Sequence, residues 1–272
     1  MEKNTIYSNN IDCNLYKWNL DKNGFPLFTE KNLKFTVALV ENDSKYRISF
    51  DATHPKSSAY LLSQGFPTEE TIRDVVKLLD KENATHLSVS GVKTGKTNNQ
   101  GIEIFVEKLL DMGLKAIKER IATGDTQLVD ELASLVPQRH NISFASKFCT
   151  FLNRYCYGTD DYSIFDSVLC NILAYYSYVY LGERNWKEIT GKNPRKESNI
   201  REKVLDKTQR FHYREYHKLI SDIIEINKKD GITISRRDFD WMLWYYFKGD
   251  TQRIIDANQC LGKPECIISH LK

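Results

Sequence analysis

The sequence predicts a mainly α-helical protein with a small α/β region at its N-terminus. Three features carry that prediction. From Ile102 onward, apolar residues recur three and four apart almost without interruption. Upstream, two β-rich runs, residues 33–41 and 45–51, flank Asn42, Asp43 and Ser44, which is hairpin chemistry. Helix caps punctuate the rest, above all Ser235 with Asp238 three residues on, a capping box with Asp in place of Glu. The expected division is residues 1–100 for the α/β region and 101–272 for a helical domain.

Composition fits a soluble globular chain: 272 residues, 41% hydrophobic and 28% charged. This excludes a disordered or bilayer-spanning protein. The longest apolar run, Ser167 to Leu181, falls short of the ~20 residues a bilayer crossing needs. The first residues carry no apolar signal core, so a cytoplasmic location with no membrane partner is the default. The net charge of +3 decides nothing as a total; the placement of the 39 basic residues matters more. Six cysteines form no CxxC pair, and no histidine stands at ligand spacing from them, so no metal is expected. Cys149 and Cys156 read as reduced core thiols.

In chain order, Pro55 and its neighbours mark a loop. Thr68 then caps a helix to Glu82 with Ile72, Val75, Val76 and Leu79 on one face. A short strand candidate begins at His86 and runs into a loop holding Gly91, Lys93, Gly95, Lys96 and Thr97. The loop resembles a phosphate-cradling P-loop, but Gly91 and Gly95 stand one residue too close for its amides to curl round a phosphate. Lys93 and Lys96 therefore read as basic loop residues facing solvent or a nucleic-acid backbone. One helix is expected from Ile102 to Ile121, and a shorter one from Thr126 to Val136 before Pro137. Two central helices follow within residues 139–181. A basic, Pro-broken connection containing Arg195 and Lys196 then leads to a long helix from about Ile200 to Lys228, ended by Gly231. Trp186, Phe211, Tyr213 and Tyr216 are interleaved there as stacking candidates for nucleic acid.

Chemistry centres on the two central helices. In the first, Phe144, Phe148, Phe151 and Tyr155 form an apolar row, flanked by Ala145, Cys149, Leu152 and Cys156. Lys147 falls just outside that stripe, with Ser143, Thr150 and Arg154 beyond it. A lysine on such a border can bury its stem and present its amine to a cleft, where desolvation frees the lone pair for attack. It can equally snorkel to water. Asp166, at the mouth of the second helix, is a natural N-cap, and the amides and dipole there keep its carboxylate ionised.

These residues resemble the helix-hairpin-helix DNA glycosylase superfamily, in its 8-oxoguanine DNA glycosylase/lyase branch. In that branch a lysine opens one helix and an aspartate starts the next, at the separation seen here between Lys147 and Asp166. The resemblance covers about thirty residues. It implies a helical glycosylase domain that excises a damaged or modified base flipped from double-stranded DNA, with an associated AP-lyase step and no cofactor. Lys147 would be the nucleophile at the sugar C1′ and Asp166 its electrostatic partner. The family's Gly-rich turn before the lysine has no counterpart, since residues 139–146 hold no glycine. Arg139, His140, Asn141 and Ser143 are then expected to meet phosphates through side chains. Arg154, Lys93, Lys96, Arg195 and Lys196 are the further DNA-contact candidates, and Phe144, Trp241 and Trp244 are candidates for the base pocket. Two other readings stay open. One is a non-catalytic DNA-binding or protein-interaction module in which Lys147 and Asp166 form a buried pair or cap. The other is a nucleotide-dependent enzyme using the Gly91–Thr97 loop.

Overall fold

Helices account for the regular structure, and each begins or ends where a specific residue makes it. A computed structural model describes residues 17–43, 51–89, 99–137, 140–190, 213–261 and 263–268, with backbone alone for 183–190 and 264. Helix α1 (Glu30–Asn42) starts at Thr29, whose hydroxyl accepts from the Asn32 amide. Helix α2 (Ser58–Ser63) is capped by Ser57, and α3 (Ile72–Asn83) ends on Ala84 in the left-handed region. A 3-10 turn (Leu87–Val89) follows. Helices α4 (Gln100–Met112) and α5 (Leu114–Ala122) are parted by Gly113 at φ +84°, a conformation that costs glycine little. After α6 (Gln127–Ala133) comes α7 (Ile142–Tyr157), closed by Gly158 at φ +69°. Helix α8 (Ser167–Thr190) contains a kink at Gly182, and α9 spans Tyr213–Lys229. Helix α10 (Arg236–Phe247) opens on the expected capping box: Ser235 and Asp238 each bond the other's backbone amide. Helix α11 (Thr251–Asn258) and a 3-10 turn (Pro264–Cys266) complete the described chain.

The described residues do not support the predicted N-terminal α/β region. Residues 33–41 lie inside α1, and no strand occurs among the described residues; one isolated bridge joins Leu20 to Pro26. The alternation Phe35, Val37, Leu39 suggests a strand. The face that is buried, however, is Asn32, Phe35, Thr36, Leu39 and Val40, a helical stripe, and Val37 is left exposed. Packing on a helical period has overridden β-propensity. The second run of the expected hairpin lies almost wholly outside the described residues. The strand candidate at His86 is the 3-10 turn. The helix expected to start after Thr68 starts at Ile72, because residues 68–71 form a preceding turn in which the Thr71 and Ile72 amides donate to the Thr68 carbonyl. The single helix expected over 102–121 is two.

The chain weaves between two compact units. Unit 1 comprises Met1–Ile48, Val168–Arg201 and Ser221–Lys272; unit 2 comprises Ser49–Ser167 and Glu202–Ile220. In unit 1, α1 packs on α10 and α10 on α11. Its core is aromatic: Phe28 stacks on Phe239 at 5.0 Å, and the buried Tyr175, Tyr176 and Tyr180 send hydroxyls to Asp21, the Pro26 carbonyl and the Phe28 amide. Those tyrosines serve the core. In unit 2, α7 is the central helix, packed against α2, α3, α5 and α6. Ile142 and every residue from Phe144 to Asn153 are buried, so this helix has almost no solvent face.

Candidate active site

A helix buried on all sides must find partners for any polar residue it carries. Helix α7 carries a full stripe of them: Ser143, Ser146, Lys147, Thr150, Asn153 and Arg154, spaced three and four apart along one face. Three of them, Ser146, Asn153 and Arg154, meet the connector from Gly158 to Asp166, which turns back at Gly158 and runs antiparallel along the helix. At the C-terminal end, Arg154 Nη2 donates to Asp160 at 2.6 Å with its side chain only 10% exposed. One step on, the Asn153 amide donates to Asp161 Oδ2 at 2.9 Å, and Asn153 Oδ1 accepts the Asp161 backbone N–H at 2.9 Å. At the other end, Ser146 Oγ accepts the Phe165 backbone N–H at 2.9 Å.

These contacts set a register. Between Asp161 and Phe165 an extended chain covers about 13 Å. Seven helical residues, from Asn153 back to Ser146, cover about 10 Å. The connector is thus long enough to follow the stripe, with about 3 Å to spare. Asp166 is the next residue after Phe165, whose amide is held by Ser146. Lys147 is 9% exposed, and its Nζ donates to Ser143 Oγ at 3.3 Å. Asp166 and Ser143 are both half-buried.

A second set of side chains fixes the connector from its other side, and the sequence reading missed it. Tyr213, the first residue of α9, accepts the Ser163 N–H at 2.7 Å and donates to the Ser163 carbonyl at 2.6 Å. One turn on, Tyr216 donates to the Ile164 carbonyl at 2.6 Å, its ring 4.7 Å from that of Phe165. His217 Nε2 lies 2.7 Å from the Asp161 carbonyl. Asp130, on α6, accepts the Tyr213 amide with both carboxylate oxygens at 3.1 Å, holding the N-terminus of α9 in place. The two tyrosines expected to stack on nucleic acid are instead fully buried and grip backbone. The available signal was their spacing of three with a histidine beside them. Nothing in a sequence pairs that triplet with residues fifty positions earlier.

No family model, no curated protein and no solved structure matches the sequence.

The remaining predicted residues are placed as follows. Asn141 is the buried N-cap residue of α7; its amide donates to the Ala133 carbonyl and its carbonyl accepts from Ala145. His140 beside it is half-buried. Phe144 is 1% exposed, set edge-on to Phe105 at 5.0 Å and stacked on Phe148 at 6.0 Å, so its ring serves the core. The Arg154 guanidinium is committed to Asp160. Trp241 and Trp244 belong to unit 1, on α10, where Arg237 sits over the first ring at 4.9 Å and Lys248 over the second at 5.3 Å. Arg139, Lys93, Lys96, Arg195 and Lys196 lie outside the described residues, as does the Gly91–Thr97 loop. Among the described residues no group of three or more His, Cys, Asp or Glu is placed to hold a metal ion, and no helix is long and apolar enough to cross a membrane. The Cys149 thiol lies within the helix packing, and burial pushes its pKa far up; Cys156, also desolvated, is raised to about 12. Neither is a nucleophile.

Proposed function

We propose that this chain is a DNA glycosylase with an associated AP-lyase step, acting on a base extruded from duplex DNA through the Lys147 amine. The observation that carries the reading is the hydrogen bond from the Phe165 amide to Ser146 Oγ. It ties the residue before Asp166 to the residue before Lys147, which supports a reading in which amine and carboxylate act together. Lys147 is buried and Asp166 half-buried.

In this reading the neutral Lys147 amine attacks the sugar C1′. The new N–C1′ bond forms as the glycosidic C–N bond breaks, and its electron pair leaves with the base, which takes up a proton. The Asp166 carboxylate offsets the positive charge that develops on the sugar ring. Loss of a proton from the attached nitrogen lets its lone pair expel O4′, which is protonated, leaving an imine. Removal of a C2′ proton then drives out the 3′ phosphate. No dissociable cofactor enters these steps.

The test is reduction with borohydride in the presence of duplex DNA bearing an abasic site, together with a panel of oxidised and alkylated bases. The wild-type chain should become covalently attached to DNA, Lys147→Ala should not, and Asp166→Asn should attach more slowly. Salt-sensitive DNA binding with no adduct on any substrate would refute the assignment and leave a binding module.

A further inference from the structure

We infer that Cys260 and Cys266 form a reversible dithiol–disulfide site, in which Cys260 attacks a low-molecular-weight disulfide and Cys266 closes the ring. The site belongs to unit 1 and is independent of the glycosylase reading, whose chemistry uses neither thiol.

Two successive turns bring the cysteines together. The Lys263 N–H donates to the Cys260 carbonyl at 3.1 Å, and the Cys266 N–H to the Lys263 carbonyl at 2.9 Å. The two thiols, both reduced, lie within hydrogen-bonding reach of each other. Anchors on α8 hold both flanks: Asn258 Nδ2 donates to the Asn171 carbonyl at 3.0 Å, and the Ile268 N–H to the Val179 carbonyl at 3.2 Å. Sulfurs kept side by side react with one another faster than with a second molecule from solution.

Accessibility divides the roles. Cys260 is half-buried, its thiol donating at 3.8 Å to the Asp256 carbonyl, so a reagent can reach it. Cys266 is 4% exposed and donates to Asn23 Oδ1 at 3.5 Å. Desolvation, with the adjacent Cys260 sulfur, lifts its pKa to about 12. The share owed to Cys260 ends once that sulfur is bonded to the reagent. Cys260 first gives its proton to solvent and attacks one sulfur of the reagent. The new S–S bond forms as the reagent's breaks, and the electron pair leaves on the second reagent sulfur as a thiolate. Cys266 then loses its proton and attacks the Cys260 sulfur, expelling the first reagent sulfur as a thiolate. Two protein thiols are oxidised to a disulfide, and the reagent is reduced to two thiols. Closure also ends the bond to Asn23, whose amide donates to Asp21 at 3.2 Å and to the Tyr175 hydroxyl at 3.5 Å. The redox state is thereby coupled to that turn.

The test equilibrates the folded, full-length chain in buffers of reduced and oxidised glutathione, quenches with acid, alkylates the remaining thiols and maps the peptides. Wild type should pass from two free thiols to a Cys260–Cys266 disulfide as the oxidised share rises, and dithiothreitol should reverse it, while buried Cys149 stays reduced throughout. Cys266→Ser should accumulate a glutathione adduct on Cys260, and Cys260→Ser should leave Cys266 unmodified. Asn23→Ala, which removes a bond made only in the reduced form, should move the midpoint roughly two- to fivefold toward the disulfide, the worth of one weak hydrogen bond. Both cysteines alkylated at every glutathione ratio, or a wild-type adduct on Cys260 that never closes, would overturn the site. An adduct on Cys266 in Cys260→Ser would overturn the division of roles, and an Asn23→Ala midpoint equal to wild type the coupling to the turn.

Discussion

Two hydroxyls on the same face of α7, one turn apart, should respond to deletion with opposite signs. Ser146 is fully buried and its oxygen is the acceptor for the Phe165 amide. Ser146→Ala strands that amide in the interior, which costs about 1 to 3 kcal/mol. Thr150 is 1% exposed, and its hydroxyl has no hydrogen-bond partner among the described residues. Thr150→Val keeps the shape and removes a polar atom that folding strips of water without return, so it should stabilise by about 1 to 2 kcal/mol. The two variants should therefore melt about 4 to 15 °C apart in a chain of this size. Both would be measured by thermal unfolding and by urea titration, with an unchanged m-value required so that the shift reports the native contact. Two destabilised variants, or two that match wild type, would refute the idea that the connector is seated on this stripe.

Other consequences follow from the same contacts. Tyr213→Phe leaves both the N–H and the carbonyl of buried Ser163 without their phenol, whereas Tyr216→Phe leaves only the Ile164 carbonyl. Urea unfolding should show the first costing about 2 to 4 kcal/mol and the second about 1. Burial lifts the Glu82 carboxyl above its ordinary value of 4.5, against the lowering effect of its hydrogen bonds from Ser58. A carboxyl that holds its proton more tightly when folded lends stability at low pH, and that contribution is lost as pH rises through the folded value. In Glu82→Gln the decline in stability above pH 4.5 should accordingly be shallower than in wild type, and an unchanged profile would contradict it. Alkylation with iodoacetamide should leave Cys149 unmodified in the native state and label it only on unfolding, because the buried thiol resists forming a thiolate.

The helical character was legible because amphipathic periodicity is written locally. The Ser235–Asp238 box and the apolar face of α3 are where the sequence puts them. The N-terminal error has a local cause too: Phe35, Val37 and Leu39 satisfy a period of two, and only the burial of Asn32 and Thr36 shows that a period near four prevails. At the candidate site, the wheel correctly set Lys147 beside the aromatic row with Ser143, Thr150 and Arg154 beyond it. It pointed Ser143 and Arg154 at DNA, since polar residues on one helix face ordinarily lie at a surface. Here a nine-residue connector takes water's place, and its seat depends on Tyr213 and Tyr216, which are some fifty residues later in the chain. Such pairing is a property of tertiary packing and leaves no mark on local pattern.

The proposed chemistry requires the Asp166 carboxylate to lie within reach of the Lys147 amine. Zero-length carbodiimide coupling, which joins a carboxylate to an amine only where the two can touch, tests it most directly. Peptide mapping should recover an isopeptide between Lys147 and Asp166 that disappears in Asp166→Asn. The surface pair Lys34–Glu30, 3.5 Å apart, reports that the reaction has worked. Coupling of Lys34 to Glu30 with Asp166 joined to other lysines, and never to Lys147, would contradict the account.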